Sequence, residues 1–309
     1  MGVLSAAIQV MVYMALGFLC RKLKWTTKGS LGSLTKILLN IAVPCLIINS
    51  MMTPFESEKL SQGFMSLVMI LIIDVFFFAS GFVSGHVLKP RDPQCRAVIQ
   101  AFLLFNNFML IGIPIIEAVL GPDGVFYTGL MGLPQRIIMF IVLPIMYGKV
   151  GNGEHHEEFS WRLLIQLPSI AVFVGLFLFI TELRPPQIIW DCIADLGGMT
   201  MPLGMMITGM QLADVNIKEL LSDFTLPVIV VIKNIINPAI VLIVLKLLGF
   251  SELLVNLGVL FAAVPSAAMT AIYAANYEAA PCYAGAAVFI STLFGVVTMP
   301  FWSYVVTII

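Results

Sequence analysis

Charge is scarce in this chain. Asp, Glu, Lys and Arg make up 11% of its 309 residues, where a soluble domain carries roughly 25%. Too few polar groups remain to cover a water-facing surface, which excludes a soluble enzyme and a nucleic-acid-binding protein. Paired cysteines are lacking as well. Cys20, Cys45, Cys95, Cys192 and Cys282 include no CxxC pair, and only Cys192 falls near the outer face in the topology below. Neither a secreted disulfide scaffold nor a structural disulfide is therefore expected. The sequence also has no HExxH zinc signature, no GxSxG nucleophile elbow and no P-loop, so nothing specifies a catalytic set, a metal or a cofactor. The adjacent histidines in the tract Glu154, His155, His156, Glu157, Glu158 do not set up tetrahedral ligation and read as a solvated loop.

What is present is apolar sequence: 60% of the residues, with a mean hydropathy of +1.03. A membrane helix needs about 20 apolar residues. Hydropathy marks ten segments, at 4–20, 33–53, 62–88, 97–119, 124–148, 161–181, 190–212, 224–248, 253–275 and 281–307. Connections this short leave no room for a separate soluble domain. The expected fold class is an all-α polytopic membrane protein. The first apolar run is followed, not preceded, by Arg21, Lys22, Lys24 and Lys28, so it reads as a retained helix and not a signal peptide. With the amino terminus outside, Lys36, Lys89, Arg91, Arg96, Lys149, Arg162 and Lys218 join those four on the cytoplasmic side, and only Lys59, Arg184 and Lys246 face out. That bias places both termini outside the inner (cell) membrane. Arg136 and Lys233 remain within the bilayer.

The two halves echo each other. Pro44 in LLNIAVPCLIINSM recurs as Pro202 in LGGMTMPLGMMITGM, 158 positions on. Tyr127, Gly129 and Pro144 of the fifth segment recur as Tyr283, Gly285 and Pro300 of the tenth, each 156 on. Five helices per half is an odd number, so the second copy must enter the bilayer from the opposite side. The expected organisation is an inverted repeat, 1–150 and 151–309, as many secondary transporters have.

Segment four carries the run Asn106, Asn107, Phe108, Met109, Leu110, Ile111, Gly112, Ile113, Pro114. Proline removes one backbone donor and clashes with the carbonyl four residues back; glycine weakens the same turn. The counterpart in segment nine is Ala262, Ala263, Val264, Pro265, Ser266, Ala267, Ala268. Two such breaks in equivalent helices point to a midplane site. A half-helix starting at Pro114 or at Pro265 would aim amide groups and positive dipole at an anion. Asn107 and Ser266 are the polar groups beside the breaks, with Asn106 either a ligand contact or interhelical glue. Pro44, Pro202, Pro227 and Pro238 read as ordinary kinks.

These stretches are similar to the auxin efflux carrier family, within the wider group that includes the bile acid sodium symporters. The resemblance rests on NNFMLIGIP at 106–114, AVLG at 118–121, AAVPSAAMTAIYAANY at 262–277, STLFGVVTMP at 291–300 and LNIAVPCLI at 39–47, and it extends over nearly the whole chain. Plant members carry a long hydrophilic insert between helices 5 and 6, which this chain lacks, so it looks like the compact prokaryotic type. The resemblance implies ten helices, a scaffold of helices 1, 2, 6 and 7, and a moving domain of helices 3–5 and 8–10, with helices 4 and 9 broken and crossing. It implies organic anions as cargo. Carried over by position, the crossover residues are Asn107, Pro114 and Pro265. The plant pattern tends to have glutamine after the second crossover proline, where this chain has Ser266, and that departs from an auxin-like cargo.

Ionisable residues deep in membrane helices are costly and are functional candidates by default. Here they are Asp74, Arg136 and Lys233, with Gln135, Asn234 and Asn237 as polar company. Glu117, Asp191, Asp195 and Asp214 lie nearer helix ends and read as solvated. Arg136 is expected either to hold the anion through its two-pronged guanidinium or to sit in an ion pair with Glu117. Asp74 and Lys233 lie 159 positions apart and are expected to form a buried support or ion-coupling pair, with Asn234 beside them. The substrate-binding set is then Asn107, Gly112, Ile113, Pro114, Gln135, Arg136, Pro265 and Ser266. The expected activity is secondary transport of small mono- or dicarboxylates by elevator-type alternating access, not catalysis. A sodium-coupled bile-acid-type symporter and an anion channel are the alternatives. The expected partners are the organic anion and the lipid bilayer, with a homodimer open.

Overall fold

Backbone placed in hydrocarbon must satisfy every N–H and C=O from within the protein, and the helix does so segment by segment. The computed structural model describes residues 2–90, 92–151, 166–213 and 224–308. Among these the chain is helical almost throughout, and the sole extended pairing is one isolated bridge. The tract at 154–158, with Arg91, Arg162, Asp214 and Lys218, lies outside the described residues.

In chain order the helices are α1 (Gly2–Lys22), α2 (Lys28–Ile37), α3 (Val43–Met51), α4 (Ser57–Val87), α5 (Pro93–Leu104), α6 (Ile113–Gly148) and α7 (Leu167–Thr181). They continue with α8 (Gln187–Gly198), α9 (Thr200–Ala213), α10 (Thr225–Val231), α11 (Asn237–Leu247), α12 (Glu252–Ala263), α13 (Ala268–Asn276) and α14 (Pro281–Ile308). Caps mark several starts. Thr27 and Ser30 form a reciprocal capping box on α2, and Asp92 accepts from Gln94 N–H ahead of Pro93 at the start of α5. The fourth and fifth apolar segments are separated inside α6 by Gly121 (φ 66°, ψ −158°), backbone angles that an L-residue would reach only with strain.

Among the described residues, five helical stretches are long and apolar enough to cross a membrane: Gly29–Met51, Ser57–Val87, Phe108–Gly148, Thr225–Leu247 and Pro281–Ile308. Leu167–Thr181 and Glu252–Ala263 are shorter apolar helices. The chain is a multi-pass membrane protein. Its α4 shows how such a helix sorts its faces. Phe64, Val75, Phe78 and Phe82 are exposed, while Ser66, Ile70, Ile73, Asp74 and Phe77 are buried, so the apolar side faces outward and the polar side chains turn in.

Among the described residues, three five-residue π-turns interrupt the helices, at Leu38–Ala42, Phe108–Gly112 and Ile232–Ile236. Each is followed two residues later by proline: Pro44, Pro114 and Pro238. The pattern has a steric cause. The proline ring clashes with the carbonyl four residues back, and the wider i→i+5 turn moves that carbonyl aside. Pro44 and Pro238, expected as plain kinks, are thus π-turn prolines. Pro202 and Pro227 instead lie in the first turns of α9 and α10, where the missing N–H matters little.

The chain divides into two compact units. One comprises Met1–Val68, Met109–Leu133 and Trp161–Asp214. In it α1 packs against α9, and α3 against α7 and α8. A Cβ on Gly17 would collide with the backbone of Met206, and one on Gly209 with the backbone of Met14. The other unit comprises Met69–Phe108, Pro134–Ser160 and Val215–Ile309. Here α14 packs against α5, α10, α12 and α13, around a core that includes Ile99, Phe102, Leu103, Ile229 and Ala287.

Candidate functional site: two broken helices

The chain leaves α5 at Phe105 (φ −103°, ψ 134°) and leaves α12 at Val264 (φ −60°, ψ 134°). Both breaks lie in the second unit, side by side and antiparallel, with Asn106 bridged to Ser266. Asn107 N–H donates to Pro265 O at 2.9 Å, and Ala267 N–H donates to Phe105 O at 3.0 Å. Backbone groups that each break frees are thereby satisfied by the other. Proline is tolerated at 265 because the bridge uses its carbonyl and asks for no N–H.

The helix restarts differ from the expectation. Chain helicity resumes at Phe108 after the first break and at Ala268 after the second, not at Pro114 and Pro265. Pro114 follows a π-turn within continuous helix, because widening that turn already relieves its clash. Gly112, Ile113 and Pro114 belong to the first unit and are buried there. In that unit a Cβ on Gly204 would stand 3.1 Å from both Leu110 O and the Pro114 ring. The structure brings together Asn107, Pro265, Ser266, Lys233 and Asn234, and places Gly112, Ile113 and Pro114 in the other unit's packing.

The helix ends at the crossing are treated unequally. At the carboxyl end of α5, Lys233 Nζ donates to Leu103 O at 2.8 Å, to Phe105 O at 3.4 Å and to Asn106 Oδ1. At the carboxyl end of α12, Asn106 Nδ2 donates to Phe261 O at 2.6 Å. Asn106 therefore has both ends of its amide engaged, which is the glue reading and not the ligand reading. The amino end of α13 is different. Its N-cap position is Ala267, which supplies no side-chain cap. Nearby, Ser266 Oγ and Thr270 Oγ1 are buried without a hydrogen-bond partner. Asn107 is half-buried. Negative helix ends are capped by side chains, and this positive one has no side-chain cap, beside two unpartnered hydroxyls.

Behind the crossing, Asn234 holds the second break in place. Ser266 N–H donates to Ser291 Oγ at 3.3 Å, and Ser291 Oγ–H donates to Asn234 Oδ1 at 2.8 Å. Asn234 O, deprived by Pro238 of its ordinary α-helical donor, accepts Trp302 Nε1–H at 2.8 Å. The π-turn adds one residue to the helix, which lets neighbours Lys233 and Asn234 both point inward with no exposed surface.

Asp74 and Lys233, expected as a support pair, act on each other as charges through space but make no direct contact. The two form no salt bridge. Lys233 turns to the carbonyls of the break, and Asp74 Oδ1 accepts Gln135 Nε2–H at 2.5 Å, leaving Oδ2 buried and unpartnered. Gln135 thus has its amide nitrogen engaged by Asp74. Arg136 is buried, at 5% exposure, in the same unit. Glu117, expected to be solvated, has a buried Oε2 without a partner. Sequence reasoning missed Thr270, Ser291 and Trp302. Ser291 lies inside the STLFGVVTMP stretch, but no local feature marks it as a support for residue 266.

A multi-pass helical protein whose two interrupted helices meet through their backbones belongs to the architectural class of membrane carriers. The family model for membrane transport proteins matches residues 3–303. The chain belongs to that family, the auxin efflux carrier family. It is 24% identical over 316 residues to an uncharacterized transporter of Methanothermobacter thermautotrophicus, covering 99% of each chain. It is 23% identical over 279 residues to an uncharacterized transporter of Methanocaldococcus jannaschii, covering 88% of each.

Proposed function

We propose that the protein is a secondary transporter for small organic anions, mono- or dicarboxylates, with the anion held at the crossing. The observation that carries this reading is the uncapped amino end of α13 with Ser266 Oγ and Thr270 Oγ1 unpartnered beside it. First-turn N–H groups and hydroxyl donors at a positive helix end suit a carboxylate. Asn107 supplies a further amide at the same place, and Arg136 is a second buried cation in the unit for a dicarboxylate's far end.

Ten membrane crossings arranged as inverted repeats over 1–150 and 151–309 complete the reading, with both termini outside the cell membrane. Elevator-type alternating access is part of the reading, and the chain's division fits it in part, since segments three, four and five are each shared between the two units. Described parts of segments one, two, six and seven fall in one unit, and those of segments eight to ten in the other. The deciding experiment is uptake by proteoliposomes preloaded with unlabelled carboxylates. Saturable counterflow of a labelled carboxylate is expected. Currents far above carrier turnover would instead establish a channel, and the absence of exchange with any mono- or dicarboxylate would remove the anion reading.

A further inference from the structure

Lys233 is the one charged side chain among the described residues with no exposed surface at all. Burying a cation is tolerated only where oxygens replace its water. Here three do so: Leu103 O, Phe105 O and Asn106 Oδ1 all face Nζ. A neutral amine has two N–H donors, whereas an ammonium has three, so three acceptors around one nitrogen suit the charged form. The Phe77 ring face, with its centroid 4.8 Å from Nζ, covers another side in a cation–π contact. Two carbonyls from the end of a half-helix plus one side-chain oxygen are also the donors a monovalent metal cation would take.

We propose that the Lys233 ammonium is a tethered cation occupying a cation site at the end of α5, so that no dissociable metal ion is needed to hold the break in shape. The charge neutralises the negative end of α5 and fixes Asn106, which in turn holds Phe261 O of α12. Lys233 is thus a positioning residue for both breaks, not a contact to the cargo. This inference extends the proposed function, but its test needs no cargo. A protein that passes it and exchanges no carboxylate would unseat only the anion reading.

The experiment is thermal unfolding of the purified, detergent-solubilised protein without carboxylates, in choline, sodium or propylammonium chloride at matched ionic strength. Wild type should melt at the same temperature in all three salts. Lys233→Ala should melt lower by on the order of 10 °C in choline, since it leaves the oxygens of the site without their donor. Propylammonium, which resembles the missing end of the side chain, should recover at least half of that loss in Lys233→Ala and none in wild type. Lys233→Met separates charge from packing. It keeps a long apolar stem, so a melting point equal to wild type would overturn the proposal, and one near Lys233→Ala supports it. If Lys233→Ala does not fold, the comparison of Lys233→Met with wild type still decides. Sodium-specific stabilisation of wild type over choline would also overturn the proposal, because the site would then be taking a metal with Lys233 in place.

Discussion

At the residue scale, the unpartnered hydroxyl of Ser266 separates structure from binding. A buried donor without a partner contributes no stability and carries a desolvation cost. Removing it in Ser266→Ala should therefore leave the melting temperature unchanged or slightly raised. If the anion takes its place beside that hydroxyl, the same change should weaken carboxylate binding about tenfold, one hydrogen bond's worth. Titrating carboxylate by thermal shift in both proteins measures the two effects at once. A fall in stability with affinity intact would mean that the hydroxyl is structural. Its neighbour Asn106 shows the opposite arrangement. The sequence Asn106-Asn107 does not say which amide is occupied, because the answer depends on Phe261 and Lys233, distant in the chain and adjacent only after folding.

At the element scale, the turn Ile232–Ile236 depends on a trade between Pro238 and Trp302. Trp302→Phe removes the indole donor from Asn234 O and should cost about 1–3 kcal/mol. Pro238→Ala returns a backbone N–H at 238 that is able to bond the same carbonyl. The loss caused by Trp302→Phe should then shrink in the Pro238→Ala background, giving a coupling of about 1 kcal/mol in a double-mutant cycle. Melting temperatures that simply add would show that the indole and the 238 N–H do not compete for that oxygen. The helical, membrane-spanning character was legible here because apolar length and the prolines are local properties. The π-turns were not. A sequence shows that proline disturbs a helix, whereas whether the disturbance becomes a kink, a first turn or a wider coil is set by what receives the displaced carbonyl. For Pro238 that receiver is Trp302, 64 positions away. The same limit explains the pairing first expected for Asp74 and Lys233. Equivalent places in two halves suggest partners, but each found a nearer one in Gln135 and in the end of α5.

At the scale of the whole molecule, contact between α1 and α9 ties the two ends of the first unit's sequence together. Gly209 lies so close to the Met14 backbone that a Cβ has no room, and backbone, unlike a side chain, has no other rotamer to take. Gly209→Leu should cost about 3 kcal/mol or more, read as lost folded protein or a markedly lower melting point. Equal yield and melting point would mean that the helices part without penalty. Orientation gives a second test at this scale. On a cysteine-free background, an impermeant thiol reagent applied to intact cells should label Ser57→Cys and spare Asn152→Cys. The reverse pattern would invert the assigned topology.

The bridge between Asn106 and Ser266 has one more consequence. The two interrupted segments are joined by main-chain hydrogen bonds from Asn107 to Pro265 and from Ala267 to Phe105, and main-chain atoms are common to nearly all residue types. Heredity can therefore rewrite the side chains at 107, 266 and 270 without dismantling the frame that displays them. On the proposed function, a new cargo becomes accessible through one or two point changes, each passing through a folded intermediate.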